Sequence, residues 1–271
     1  MNKKLKIHFI LLILLTVISN LNAAQVKTGK RSIETMLAVG EELTYVVKYS
    51  VMRLGEIKLK IVDRKIEKDK VYYSAVAEIN SYPSVPFVTI HQVYETTLTP
   101  DLFSKLFVGS IKHDDYTSVT KYIFNYDSSK VYVTKGKLNS KPFVDSVISI
   151  SKKYQDGISL LYYARLHSGV ESKIDLPTLV NEKKVITGIS FTNKIEDISI
   201  DAVDYDVDCY YLEGKSNYIS IFGLTGDFEG WFSNDDASIP IKAKMKVLIG
   251  NITIELKNWK RKEWSPPRYR G

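Results

Sequence analysis

From Ile241 onward the chain alternates. Ala243, Met245 and Val247 fall on one face while Lys242, Lys244 and Lys246 fall on the other. After a turn at Gly250–Asn251, Ile252, Ile254 and Leu256 alternate in the same way with Thr253, Glu255 and Lys257. A period of two marks a strand with one buried and one wet face. The same pattern opens at Val39. A first strand over 39–51 and a second over 55–66 flank a short connection at Met52–Arg53–Leu54, with Ile57, Leu59 and Ile61 inward against Lys58, Lys60 and Arg64. Tyrosine-rich and β-branched segments follow about every ten to twelve residues, as strands favour. They resume over 183–194, 196–203, 204–214 and 218–226. Repeated strands without helical crossovers predict one meandering antiparallel sheet.

The stretch 154–169, YQDGISLLYYARLHSG, breaks the pattern. Ile158, Leu161, Tyr162 and Arg165 recur at helical spacing, and Leu160, Tyr163 and Ala164 cover a second side. Asp156 suits the N-cap, and Ser168–Gly169 suits the stop. A helix apolar on two sides must be buried on two sides. The fold class is therefore mainly β, a single curved antiparallel sheet wrapped around one buried helix. A charged Arg165 in such a helix needs a partner, because a buried unpaired charge is very costly. Either it ties helix to sheet in a structural ion pair, or it marks a ligand cavity. In the second case the ligand-binding residues are Arg165, Tyr162, Leu161 and Asp156 from the helix and Trp231 from the closing sheet.

Composition adds two things. Residues 1–24 combine a basic start (Lys3, Lys4, Lys6), an apolar run over 7–18 and small residues at Ala23 and Ala24. That is the pattern of a cleaved signal peptide. The run is short for a membrane span, no cysteine follows it to carry a lipid, and no other stretch reads as a transmembrane segment in the mature chain. The division expected is a signal peptide at 1–24, a polar lead-in at 25–38, a curved β domain at 39–259 and a basic, flexible tail at 260–271. The net charge of +7 includes the three leader lysines. The remainder is spread evenly and points to no nucleic-acid partner. With one cysteine, Cys209, no internal disulfide is possible.

Candidate chemistry is thin. Asp201, Asp204, Asp206 and Asp208 alternate with Val203, Tyr205, Val207 and Cys209, which reads as a solvated strand face, and the glycine and glutamate of a calcium loop are missing. His91 with Glu95 and His113 with Asp114 and Asp115 lack the third ligand of a zinc site. No serine sits in a nucleophile elbow. The sequence yields no catalytic residue, no metal site and no cofactor motif. Tyr72, Tyr73, Phe87, Tyr94, Tyr162, Tyr163, Tyr210 and Tyr211 are aromatics that can line a hollow or pack a core.

Several patches together resemble the bacterial envelope family known as domain of unknown function 3108. They are Val39, Gly40, Glu41, Leu43 and Tyr45; the turn at Gly55; Asp156, Ser159, Leu161, Tyr162 and Arg165; Trp231, Ser233, Asp235, Ile239 and Pro240; and the closing Gly250 and Leu256. The resemblance spans about 39–259. It implies a periplasmic or secreted, mainly β protein similar to the half-barrels of the lipoprotein-carrier group, and brings no catalytic residue. The reading that follows is a non-catalytic binding module for an apolar or amphipathic envelope molecule, a lipid-like or glycan ligand. Its rivals are an enzyme acting on envelope polysaccharide through acids such as Asp235, Asp236 or Asp114, and an assembly or scaffold protein.

Overall fold

The computed structural model describes residues 31–271 apart from 87–88, 217, 219–223 and 248–249. The expected signal peptide, the first part of the expected lead-in, Phe87 and much of the strand expected at 218–226 lie outside the described residues. Fourteen strands form one sheet: β1 (Glu42–Tyr49), β2 (Met52–Glu67), β3 (Lys70–Ser81), β4 (His91–Leu98), β5 (Ser104–Lys112), β6 (Thr117–Asn125), β7 (Lys130–Lys137), β8 (Val144–Ser149), β9 (Ser172–Val180), β10 (Lys183–Ile198), β11 (Val207–Ser216), β12 (Leu224–Ser233), β13 (Pro240–Val247) and β14 (Gly250–Lys260). Among the described residues the helices are the short α1 (Ile33–Met36) and α2 (Ser159–His167).

The topology is two meanders joined at their ends. β1 to β8 pair each with the next, β9 to β14 do the same, and β14 lies antiparallel to β1. Strands β8 and β9 are neighbours in sequence yet form the two edges of the sheet. Their connection therefore has to cross the sheet, and it carries α2 through the hollow. No residue from 154 to 169 is exposed, which is what its two apolar sides require. The closing hairpin keeps its alternation: Ala243 pairs with Ile254 and Met245 with Ile252.

Before the helix, two extended residues act as a strap. Gln155 N donates to Pro177 O and Leu179 N to Gln155 O, each at 2.8 Å, which covers part of edge strand β9. Ser104 N, at the start of β5, donates to Tyr154 O at 3.2 Å. The strap draws the β9 edge toward β5 over the hollow, and so protects an edge that would otherwise be bare.

Three sequence expectations are corrected. The lead-in is not a loose polar segment in its described part. Ser32 Oγ accepts the N–H of Glu34 to cap α1, and Met36 and Leu37 are buried in the core. A one-turn helix is too short to show a period. The 260–271 tail is anchored rather than flexible: Asp208 N donates to Pro267 O and Tyr269 N to Asp206 O, both at 2.8 Å, while Trp264 packs edge-on against Trp259. These anchors are mostly backbone groups, to which residue type is blind. Finally, Asp201, Asp204 and Asp206 sit in a connection, not along a strand, and β11 begins only at Val207. Among the described residues no acid or histidine cluster can hold a metal ion.

Candidate functional site

The turn that leads into helix α2 starts on Asp156. Its Oδ1 accepts the N–H groups of Ile158 and Ser159 at 2.7 and 2.9 Å, and Asp156 N donates back to Ser159 Oγ at 2.8 Å. This reciprocal cap satisfies donors that the first turn leaves open. Thr96 Oγ1 donates to Asp156 Oδ2 at 2.6 Å, fixing the helix start to β4. Burial pushes the Asp156 carboxyl above the usual carboxylate range, against the pull of these donors. The helix stops at Gly169, whose φ of +78° favours glycine and where a Cβ would lie 2.6 Å from the Tyr210 ring.

Arg165 sits fully inside. Its Nη1 donates to Glu41 Oε1 at 2.7 Å and its Nη2 to Glu41 Oε2 at 3.2 Å. The same Nη2 also donates to Met36 O and to Ala237 O, at 3.1 and 2.9 Å. Burial alone would lower the guanidinium's affinity for its proton, but Glu41 beside it leaves it above the ordinary value. Arg261 from the tail donates to the other side of Glu41, to Met36 O at 2.9 Å and to Thr35 O at 2.6 Å. Arg31 donates to the carbonyls of Arg165 and Ser168 at 3.0 Å each, a cation at the negative end of the helix. Five segments thus meet on one carboxylate and three arginines: the lead-in, the start of β1, α2, the β12–β13 connection and the tail. The structural reading of Arg165 is the one its contacts satisfy. Tyr162 packs beside it, with the Arg165 guanidinium 5.5 Å from its ring centre.

The adjoining flank of the helix meets a cavity. Leu160, Leu161 and Ala164, with Gly157 before them, face Ile57, Leu59, Ile189, Leu212, Phe228, Phe232, Met245 and Ile254 across a space of about 140 Å³, partly open to solvent. The cavity lies at a seam. One hydrophobic cluster holds Ile57, Leu59 and Ile254, a second holds Ala164, Ile189, Leu212 and Phe232, and Leu161 packs against both. The sheet is too wide for a single helix to fill. The wall is almost wholly apolar, and Tyr45 in it carries a hydroxyl with no hydrogen-bond partner among the described residues.

Of the residues expected to bind a ligand, only Leu161 lines this space. Arg165, Tyr162 and Asp156 belong to the helix's anchoring. Trp231 alternates with Phe232 and so faces away from the hollow. It is buried on the outer side, its indole N–H donating to Glu196 at 2.7 Å and its ring 5.7 Å from that of Tyr211. Lys194 and that indole hold the Glu196 carboxyl below its usual range although burial works the other way. The wall residues missed in the sequence, above all Phe228, Phe232 and Leu212, were signalled by strand parity. Cys209 is buried and its thiol is pushed up by desolvation, which makes it inert. Asp235 is occupied too: its Oδ1 accepts from Ser233 Oγ and Ser238 N, and its Oδ2 accepts the Trp264 indole N–H.

A family model described as "Protein of unknown function (DUF3108)" matches residues 44–257. The chain belongs to the DUF3108 family. No curated protein matches it. Among solved structures, the DUF3108 chain is similar to a β-barrel-like protein of domain of unknown function DUF1849 from Brucella abortus. That likeness has a TM-score of 0.56 at 10% identity and covers 83% of this chain and 99% of the other. At that identity the likeness shows the fold alone. It fits the half-barrel of this DUF3108 sheet. Among the described residues no helix is long and apolar enough to cross a membrane.

Proposed function

We propose that this protein is a non-catalytic binding module of the bacterial cell envelope that takes an apolar or amphipathic molecule into the hollow beside α2. The observation that carries this reading is the apolar cavity between Leu160, Leu161 and Ala164 and the strands opposite. Apolar concavities with few polar groups are the usual ligand sites of a fold, and a dry apolar space of about 150 Å³ already holds a benzene-sized guest. A ring or a short stretch of acyl chain therefore fits as the buried part of the ligand, with the unpartnered Tyr45 hydroxyl as a polar contact in the wall. The signal-peptide pattern at 1–24 supports an envelope location. The enzymatic rival loses support because Asp235 is spent on Ser233, Ser238 and Trp264.

Native mass spectrometry of the protein, purified gently from its host's envelope fraction, tests this. A co-purifying molecule of defined mass, released by organic extraction and carrying an apolar chain or ring system, is the expected result. A clean apo mass, with no uptake of added fatty acid or phospholipid, would sink the reading.

A further inference from the structure

The two edges of the sheet are treated differently. The β9 edge is covered in part by the Tyr154–Gln155 strap. Among the described residues the β8 edge carries no such cover. The N–H of Ile150 donates to Ser129 O at 2.9 Å, and Ile148 and Ser146 lie opposite Val131 and Val133. Even-numbered residues thus bond β7, and Asp145, Val147 and Ser149 turn their N–H and C=O groups outward. The strand's sequence, VDSVIS, has neither lysine nor proline, the usual defences of an open edge.

The outer face beside this edge is apolar in register. Ile123 pairs with Tyr132 and Tyr132 with Val147, and the three are 42%, 39% and 53% exposed. We propose that β8 pairs antiparallel with the β8 of a second copy of this chain, about a two-fold axis at Val147. Two independent parities agree on that register. An axis normal to the sheet keeps each residue on its own face, so Val147 meets the partner's Val147 on the outer side. The same register sets outward-turned groups against outward-turned groups, Val147 against the partner's Val147 and Asp145 against the partner's Ser149. The apolar row then runs unbroken through both copies. Charge agrees as well. Lys130 pairs with Ser149, so Asp145 of each copy lies on the flank of the partner's Lys130. Neither Asp145 nor Lys130 has an ion pair within the chain among the described residues.

Sedimentation velocity over a concentration series tests the proposal on wild type and Val147→Pro. Proline at 147 deletes the central outward N–H and leaves the bonds to β7 intact. Wild type is expected to pass from monomer to dimer. Val147→Pro should dimerise roughly tenfold more weakly or less well still, as loss of two hydrogen bonds per dimer implies, with an unchanged urea midpoint. A second variant keeps the test open should proline disturb the strand. Cysteines facing each other in such a pair lie about 5.5 Å apart at Cα, within disulfide range. Val147→Cys should therefore crosslink on mild oxidation, and Val62→Cys, exposed on β2, should not. A wild type that stays monomeric, or a dimer indifferent to Val147→Pro and not trapped by Val147→Cys, would overturn the proposal.

Discussion

The two flanks of α2 solve opposite problems. On one, a charged group is buried and every nearby segment has been recruited to pair it: Glu41, Arg165, Arg261, Met36 O and Ala237 O meet with bonds of 2.7–3.2 Å around Arg165. On the other, Leu160, Leu161 and Ala164 meet a wall that does not close on them. A buried ion pair is weak evidence of stability, because the cost of desolvation offsets the attraction. Here it sets the depth and rotation of the helix. The unfilled flank is then a consequence of where the helix has been pinned, because close packing would otherwise remove such a space. One flank holds the fold, and the other is left for something else.

The largest way to break this arrangement is Glu41→Ala, which strands the buried Arg165 and the part-buried Arg261. It should cost about 3–5 kcal/mol in urea unfolding, as loss of one partner of a buried pair does. Arg165→Met should cost less, since Glu41 keeps Arg261; equal costs would mean that the shared carboxylate is not the centre of the lock. Next in size is the helix start. Asp156→Ala should cost about 1–2 kcal/mol and Asp156→Asn less. The pH dependence has a definite sign. A carboxyl raised above its usual 3.8 binds its proton more tightly folded than unfolded. Its stabilising contribution is complete below pH 3.8 and fades as pH rises through the folded value. Asp156→Asn cannot ionise, so its deficit against wild type should shrink as pH rises above 3.8.

Smaller effects sharpen the comparison from the open flank. Tyr45→Phe removes a buried hydroxyl that has no partner among the described residues, so the empty protein should be unchanged or up to about 1 kcal/mol more stable. The same change should weaken binding of a probe bearing a hydroxyl or carbonyl and spare a pure hydrocarbon. Away from both flanks, Lys105 and Lys65 hold the part-exposed Glu67 carboxyl down to about 2. Its contribution is present above pH 4.5 and lost as pH falls toward 2, so Glu67→Gln should slightly flatten the acid limb of the stability curve and leave pH 7 binding untouched.

The strands were legible because alternation is a local signal, and so was the burial of α2, whose apolar residues occupy two sides. What lay beyond the sequence was non-local. Nothing in the chain says that β8 and β9 end up on opposite edges, which is why the helix must cross the hollow. Glu41 and Arg165 are 124 residues apart, and no spacing rule joins them. The resemblance patches at Glu41, Asp156, Ser159, Arg165, Ser233 and Asp235 fall on the lock and its neighbouring turns, so a motif reading finds the anchor and not the cavity. Trp231 shows where a local signal was available. Counting parity along β12 would have put Phe228 and Phe232 in the hollow and Trp231 outside it.

The measurement that bears most directly on the open flank is a fluorescence titration of a fatty-acid probe against wild type and Leu161→Trp, with thermal unfolding run alongside. The account predicts saturable binding to wild type and at least about a tenfold loss in Leu161→Trp, whose indole fills the seam, at a melting temperature within a few degrees of wild type. Equal binding by both proteins, or none by wild type stripped of any co-purified lipid, would contradict it.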